Sequence, residues 1–234
     1  MRNRWPLILA INTTAGPFGL ALLEKNGSVR AEIFASQGKG HYGALMPAVG
    51  FLISSCGATP SEIEAVAVAT GPGSFTGLRI GLSTAKGFSH ALNVPVIGIP
   101  SLEAMALQCS CTELPLVALI DSRRGEFFAC CFMPGTGGRY VRKSEDLCLR
   151  AEDMGDLFKE KSLIIGNNFS AQWPIIREAL GEKALCAPIH LWKTDAASLG
   201  IPALERLANE QYDDPDFISP LYFRPPDIRA PHPA

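Results

Sequence analysis

Apolar and polar positions along the first hundred residues follow two periods in turn. Leu7 to Ile11 is an unbroken apolar run, the mark of a strand covered on both faces. Phe18 to Leu23 predicts a second strand, and Asn26-Gly27 after it supplies the positive φ of a tight hairpin. Val29, Ala31 and Ile33 alternate with Arg30 and Glu32, as in a half-exposed third strand. From Tyr42 to Cys56 the period becomes helical, with Leu45, Met46, Val49, Leu52, Ile53 and Cys56 on one stripe, and Thr59-Pro60-Ser61 ends it. Ala65 to Ala69 then predicts a buried strand, Phe75 to Leu92 a second helix, and Pro95 to Ile99 another strand.

The second half starts in the same way. Leu116 to Ile120 is a buried strand, Asp121-Ser122-Arg123-Arg124-Gly125 a polar turn, and Glu126 to Phe132 the returning strand, matching the opening strand and its turn Asn12-Thr13-Thr14-Ala15-Gly16. Helical patterns follow at 152–160, 171–180 and 195–210, with a short strand from Leu163 to Ile165. Strands first, then alternating helices and strands, predict a ribonuclease-H-like lobe, and two of them predict an α/β protein of actin/sugar-kinase architecture. The divisions expected are a first lobe over 1–100, a second over 101–214, and an extended tail over 215–234 with its six prolines.

Composition narrows the function. The 234 residues carry a net charge of −2, whereas a domain that grips nucleic acid unaided is normally basic, because phosphate contacts supply much of the affinity. Any nucleic-acid contact is therefore expected to be shared with a partner. Seven cysteines without a C-x-x-C pair argue against a zinc site or a secreted disulfide framework, and Cys130 and Cys131 should face opposite sides of a strand. The apolar run after Arg2 and Arg4 is too short for a signal peptide, and no apolar stretch is long enough to span a membrane, so the expectation is a cytoplasmic protein.

The chemistry-bearing candidates are few. Gly71-Pro72-Gly73-Ser74-Phe75-Thr76-Gly77-Leu78-Arg79 joins a buried strand to a helix. Gly71, Gly73, Ser74, Thr76 and Gly77 make either a phosphate-facing loop at a helix N-terminus or a tight connection that sets the helix angle; no Gly-Lys-Ser/Thr follows, so it is not a P-loop. Asn12 and Asp121 end the first strand of each lobe, where actin-like ATPases place a carboxylate for magnesium. An amide at the first of these positions degrades such a nucleotide site. Among His41, His90, His190 and His232 no pair has i, i+4 spacing, so no metal site is expected. Ser74, His41 and Asp121 suggest a peptidase-like hydrolase only by residue type, since Ser74 lacks a G-x-S-x-G elbow. No catalytic residue is assigned. Arg79, Arg123 and Arg124 are candidates for inter-subunit or anion contact, with a charged hairpin turn as the plainer reading of the last two.

The second helix carries two stripes, Leu78, Leu82, Ala85 and Leu92 on one side and Ile80, Thr84, Gly87 and Ala91 on the other. Gly81 and Gly87 each cost about 1 kcal/mol of helix stability relative to alanine, so packing is expected to offset them. Either both faces are covered within the chain, or the helix pair forms half of a four-helix bundle with a partner. On the second reading the interface residues are Leu45, Met46, Val49, Ile53, Ile80, Thr84 and Gly87.

Gly71 to Leu82, GPGSFTGLRIGL, resembles the signature of the TsaB (YeaZ) family. LILAINTT at the start, Gly40-His41 leading to Met46-Pro47, LNVPVIGIPSL from Leu92, IDSRRGEF from Ile120 and Pro220-Leu221-Tyr222-Phe223-Arg224 match in order. The resemblance is strong over 7–132 and thinner over 133–215. It implies a non-catalytic subunit that docks the catalytic paralogue TsaD through the first-lobe helices and, with the ATPase TsaE, supports transfer of threonylcarbamoyl to tRNA adenosine. It also implies that ATP or ADP and metal sit on the partner subunits, with none bound tightly here, and that two copies pair when the partner is absent. The catalytic relative carries H-x-x-x-H, and this chain has Leu45 four residues after His41. The family usually has Asp where Asn12 stands. The rival expectation is an ATP-binding enzyme of the actin/sugar-kinase class.

Overall fold

The computed structural model describes residues 6–16, 18–35, 41–110, 112–123 and 125–223; of His41, Arg123 and Leu157 only the backbone is described. The first sheet has the order β3-β2-β1-β4-β5, built from β1 (Leu7–Asn12), β2 (Phe18–Glu24), β3 (Val29–Ala35), β4 (Ile63–Gly71) and β5 (Val96–Pro100). The hairpin strands β1, β2 and β3 pair antiparallel, and β4 and β5 join parallel. The second sheet repeats this order. β6 (Leu116–Arg123) and β7 (Glu126–Pro134) form the central hairpin, and β8 (Tyr140–Arg142) and β9 (Leu147–Arg150) pair with β7 on its other side. On the far flank β10 (Ser162–Gly166) and β11 (Ala184–Cys186) are parallel to β6. The repeated strand order is the actin/sugar-kinase architecture that the sequence predicts.

Alternation along β1 decides which helix covers which face. Leu7, Leu9 and Ile11 point into a core shared with α1 (Leu45–Ser55) and α2 (Phe75–Leu92). Ile8 and Ala10 point the other way, against α6 (Ala197–Ala208). In the second lobe Leu116, Ala118 and Ile120 face α3 (Ser101–Leu107), whereas Val117 and Leu119 face α4 (Met154–Leu157) and α5 (Phe169–Leu180). Cys130 and Cys131 fall into these two opposite cores, as strand alternation requires.

Three expectations are corrected. The helix over 195–210 does not belong to the second lobe: as α6 it packs on β1, β2, β4 and β5, because Leu199 and Ala203 supply the cover that Ile8, Ala10 and Ile97 need. The tail from 215 is not free of the body. Ile218 packs against the first core, and Leu221 N–H donates to the Thr70 carbonyl at 2.8 Å. The pattern over 152–160 forms only a 3-10 turn and the single turn of α4.

Candidate functional site

The two lobes face each other across a cavity of about 410 Å³ whose first-lobe wall is Thr14 to Gly16 and Gly73 to Thr76, and whose second-lobe wall includes Asp121, Ser122, Phe128, Asn167 and Asn168. Both α2 and α5 begin at this cavity, capped by Ser74 and Asn168. Backbone N–H groups at such helix starts favour an anion. Ser74 Oγ already accepts from Gly77 N–H at 3.3 Å and Asn168 Oδ1 from Ala171 N–H at 3.3 Å. Ser74 is thereby the N-cap of α2.

The glycine run divides between two jobs. Gly73, Ser74 and Thr76 line the cavity, but Gly71 and Gly77 do not. Gly77 lies against the Thr13 carbonyl and the Tyr42 hydroxyl, and a Cβ on Gly73 would come within 2.6 Å of the Thr14 carbonyl oxygen. Thr13 Oγ1 donates to Gly77 O at 2.7 Å, and Ser74 N–H donates to Thr14 O at 2.7 Å. Side chains at these positions would push α2 off the turn after β1, so close packing accounts for the glycines.

Asn12 is not turned to the cavity. It is buried, its Nδ2 donates to the Asp195 carbonyl at 2.8 Å, and its Oδ1 accepts from Thr14 Oγ1 at 2.7 Å and from Thr14 N–H at 3.2 Å. Thr194 Oγ1 donates to Ala15 O at 2.8 Å beside it, so the turn after β1 is the anchor for the segment that carries the chain from second lobe to first. A carboxylate could not donate the first of these bonds. Asp121 does line the cavity; its own N–H donates to Asn167 Oδ1 at 3.0 Å. It is the one charged side chain among the described lining residues.

Arg79 is occupied by the chain itself. Its Nε donates to the Tyr222 hydroxyl at 2.9 Å and its guanidinium lies 3.8 Å from the Phe75 ring centroid. Arg123 ends β6, and Arg124 lies outside the described residues. Burial pushes the thiols of Cys109 and Cys130 up to about 11, so both stay protonated and unreactive at neutral pH. Among the described residues no three His, Cys, Asp or Glu side chains come together as metal ligands, and no helix is long and apolar enough to cross a membrane.

The expected interface separates into core and surface. Leu45, Val49 and Ile53 are buried against the first sheet and cannot meet a partner, because β2 and β3 need that stripe as their cover. Met46 (55% exposed) projects outward, as does Phe51 (66%), which the stripe did not include. Ile80 and Thr84 are half-buried, and Gly87 is exposed with open space beyond it.

Two matching lobes with the cleft between them define a protein of the actin/sugar-kinase class, with an amide where that class needs its first carboxylate. The family model described as TsaD, tRNA N6-adenosine threonylcarbamoyltransferase, matches residues 28–161. A Bacillus subtilis protein named tRNA threonylcarbamoyladenosine biosynthesis protein TsaB is 32% identical over 75% of this chain and 77% of its own length. The Escherichia coli protein of the same name is 28% identical over 74% and 76%. The structure of YeaZ from Pseudomonas aeruginosa superposes with a TM-score of 0.77 at 22% identity, over 93% of this chain and all of that one. The chain belongs to the TsaB family, whose named members are tRNA threonylcarbamoyladenosine biosynthesis proteins.

Proposed function

We propose that this chain is a non-catalytic docking subunit: it holds a TsaD-type catalytic paralogue and so supports threonylcarbamoyl transfer to tRNA adenosine, without chemistry of its own. The observation that carries the reading is the outer side of α1 and α2. Met46 and Phe51 stand largely exposed there, and Gly50 and Gly87 have nothing within 4 Å of where a Cβ would be. Large apolar side chains beside small, open positions let a second helix pair approach closely and bury the protruding groups. The cleft supports the same reading from the other side, since the amide of Asn12 is spent on Asp195 and Asp121 stands without a second carboxylate among the described lining residues. ATP or ADP and metal then belong to the partner subunits, including a TsaE-type ATPase. tRNA is reached only through the complex, in keeping with the net charge of −2. The assembly works in the cytoplasm, and two copies of the chain cover the same helix face when the partner is absent.

Size exclusion with light scattering, on the chain alone and mixed with the TsaD-type protein of the same organism, tests this. A heterodimer that replaces any homodimer is expected. Phe51→Glu and Gly87→Leu should each weaken it by at least about thirtyfold, the loss expected when a central apolar contact is removed or blocked. Gly87→Leu should leave the unfolding midpoint unchanged or higher, because the site is open and glycine costs about 1 kcal/mol in a helix. Co-elution of both variants at the parent's affinity would remove this surface from the interface.

A further inference from the structure

The segment from Asp213 to Phe223 reaches the mouth of the cleft along a path it is well anchored to follow. After α6 it runs beside β5, where Asp213 N–H donates to Val96 O at 2.9 Å and the Asp213 carboxylate accepts Gly98 N–H at 2.7 Å. Ile218 packs into the first-lobe core, and Leu221 N–H donates to Thr70 O at 2.8 Å, which fixes where the next two side chains go. Tyr222 turns to the first lobe: its ring centroid is 5.1 Å from that of Phe75 at the start of α2, and its hydroxyl accepts from Arg79 Nε at 2.9 Å. Phe223 turns to the second lobe, 5.9 Å from Phe128 on β7. Two adjacent residues therefore hold different lobes, and all four rings line the same cavity.

We propose that Tyr222-Phe223 is a latch across the interlobe cleft: it sets the opening of the two lobes, and a ligand that enters the cavity has to displace it or pack against it. The division of anchorage suits that role. The stem, from Asp213 to Leu221, is held by backbone hydrogen bonds and core packing. The tip is held by ring contacts and by one bond to an exposed arginine, with Tyr222 45% and Phe223 40% exposed. Edge-to-face and offset ring pairs are attractive but individually weak, so the tip can release while the stem stays in place. The latch does not depend on the docking role proposed above, since every contact it uses is within the chain.

Hydrogen exchange on the full chain, read by mass spectrometry, separates a latch from a merely ordered chain end. In Tyr222→Ala/Phe223→Ala, amides on the two facing walls, at Ser74 (bonded to Thr14) and Asp121 (bonded to Asn167), should exchange about tenfold faster, while the interior of β1, β4 and β6 is unchanged. Faster exchange confined to 219–223 would overturn the proposal. If the double variant does not fold, Arg79→Gln at its exposed position carries the test: an acceleration of about threefold at the same two walls is expected, and no change there overturns it.

Discussion

β1 and β6 hold the same place in their lobes, yet the polar residues at their ends have different fates. At the end of β1, Asn12, Thr13 and Thr14 are all buried; their side-chain polar atoms are bonded within the chain, and α2 is pressed against them through Gly73 and Gly77. Toward the end of β6, Asp121 is exposed at the cavity, and its backbone N–H donates to Asn167 Oδ1. A strand end that meets a cleft can present a charge to a ligand or tie two pieces of the chain together. It does both poorly, because a buried tie must be neutral and fully hydrogen-bonded. The first lobe has taken the tie and the second has kept the charge. A cleft with one carboxylate among its described lining residues is the consequence, and it supports the non-catalytic reading that the outer side of α1 and α2 carries.

The sharpest way to break this comparison is to restore the carboxylate. Asn12→Asp removes the donor to the Asp195 carbonyl and buries an uncompensated charge, at an expected cost of about 4 kcal/mol at pH 7 by denaturant unfolding. Desolvation raises the folded-state pKa of such a carboxyl above its unfolded value, so the folded state binds the extra proton. Its penalty is full above the folded pKa and fades as pH falls toward the ordinary carboxylate range, where the protonated group can again donate. Parent-like stability at pH 7 would mean that the Asn12 tie is dispensable. Gly77→Ala comes next. A Cβ there meets the Thr13 carbonyl, and the turn after β1 is too well bonded to yield, so about 3 kcal/mol should be lost. Gly87→Ala, in the same helix but facing open space, should be neutral or gain up to about 1 kcal/mol. Equal effects at the two glycines would mean that α2 is not clamped on its inner side.

Much of the fold was legible because it is written in local periods. The unbroken apolar runs of β1, β4 and β6 and the stripes of α2 required burial, and α2 spans Phe75 to Leu92 as its pattern predicts. The rest depends on contacts that no local period carries. α3 is seven residues long and buried on nearly every side, so it has no polar face to give it a rhythm. β8, β9 and β11 are three or four residues each. The stripe of Leu45, Val49 and Ile53 announced that something covers it, but not whether a partner or the sheet beneath does so. Asn12 stood out at once as an amide in a carboxylate's place; its partner Asp195 is 183 residues away and came into view only with the fold. Pro215 and Pro220 marked the segment as neither helix nor strand, and what they could not signal is that Ile218 and Tyr222 bind it to the first lobe.

The smallest effect sharpens the comparison most. Asp121→Asn makes the two strand ends alike in chemistry while leaving them unlike in position. Asp121 is exposed, its backbone bond to Asn167 is untouched, and the substitution keeps the shape of the side chain, so stability should stay within about 0.5 kcal/mol of the parent by thermal unfolding. If the chain works by docking, the variant should also support threonylcarbamoyl transfer in the reconstituted complex at the parent's rate. A fall of tenfold or more with stability intact would give the second-lobe carboxylate a part in the reaction, and the cleft would then have to be counted as chemistry rather than as the remnant of a nucleotide site.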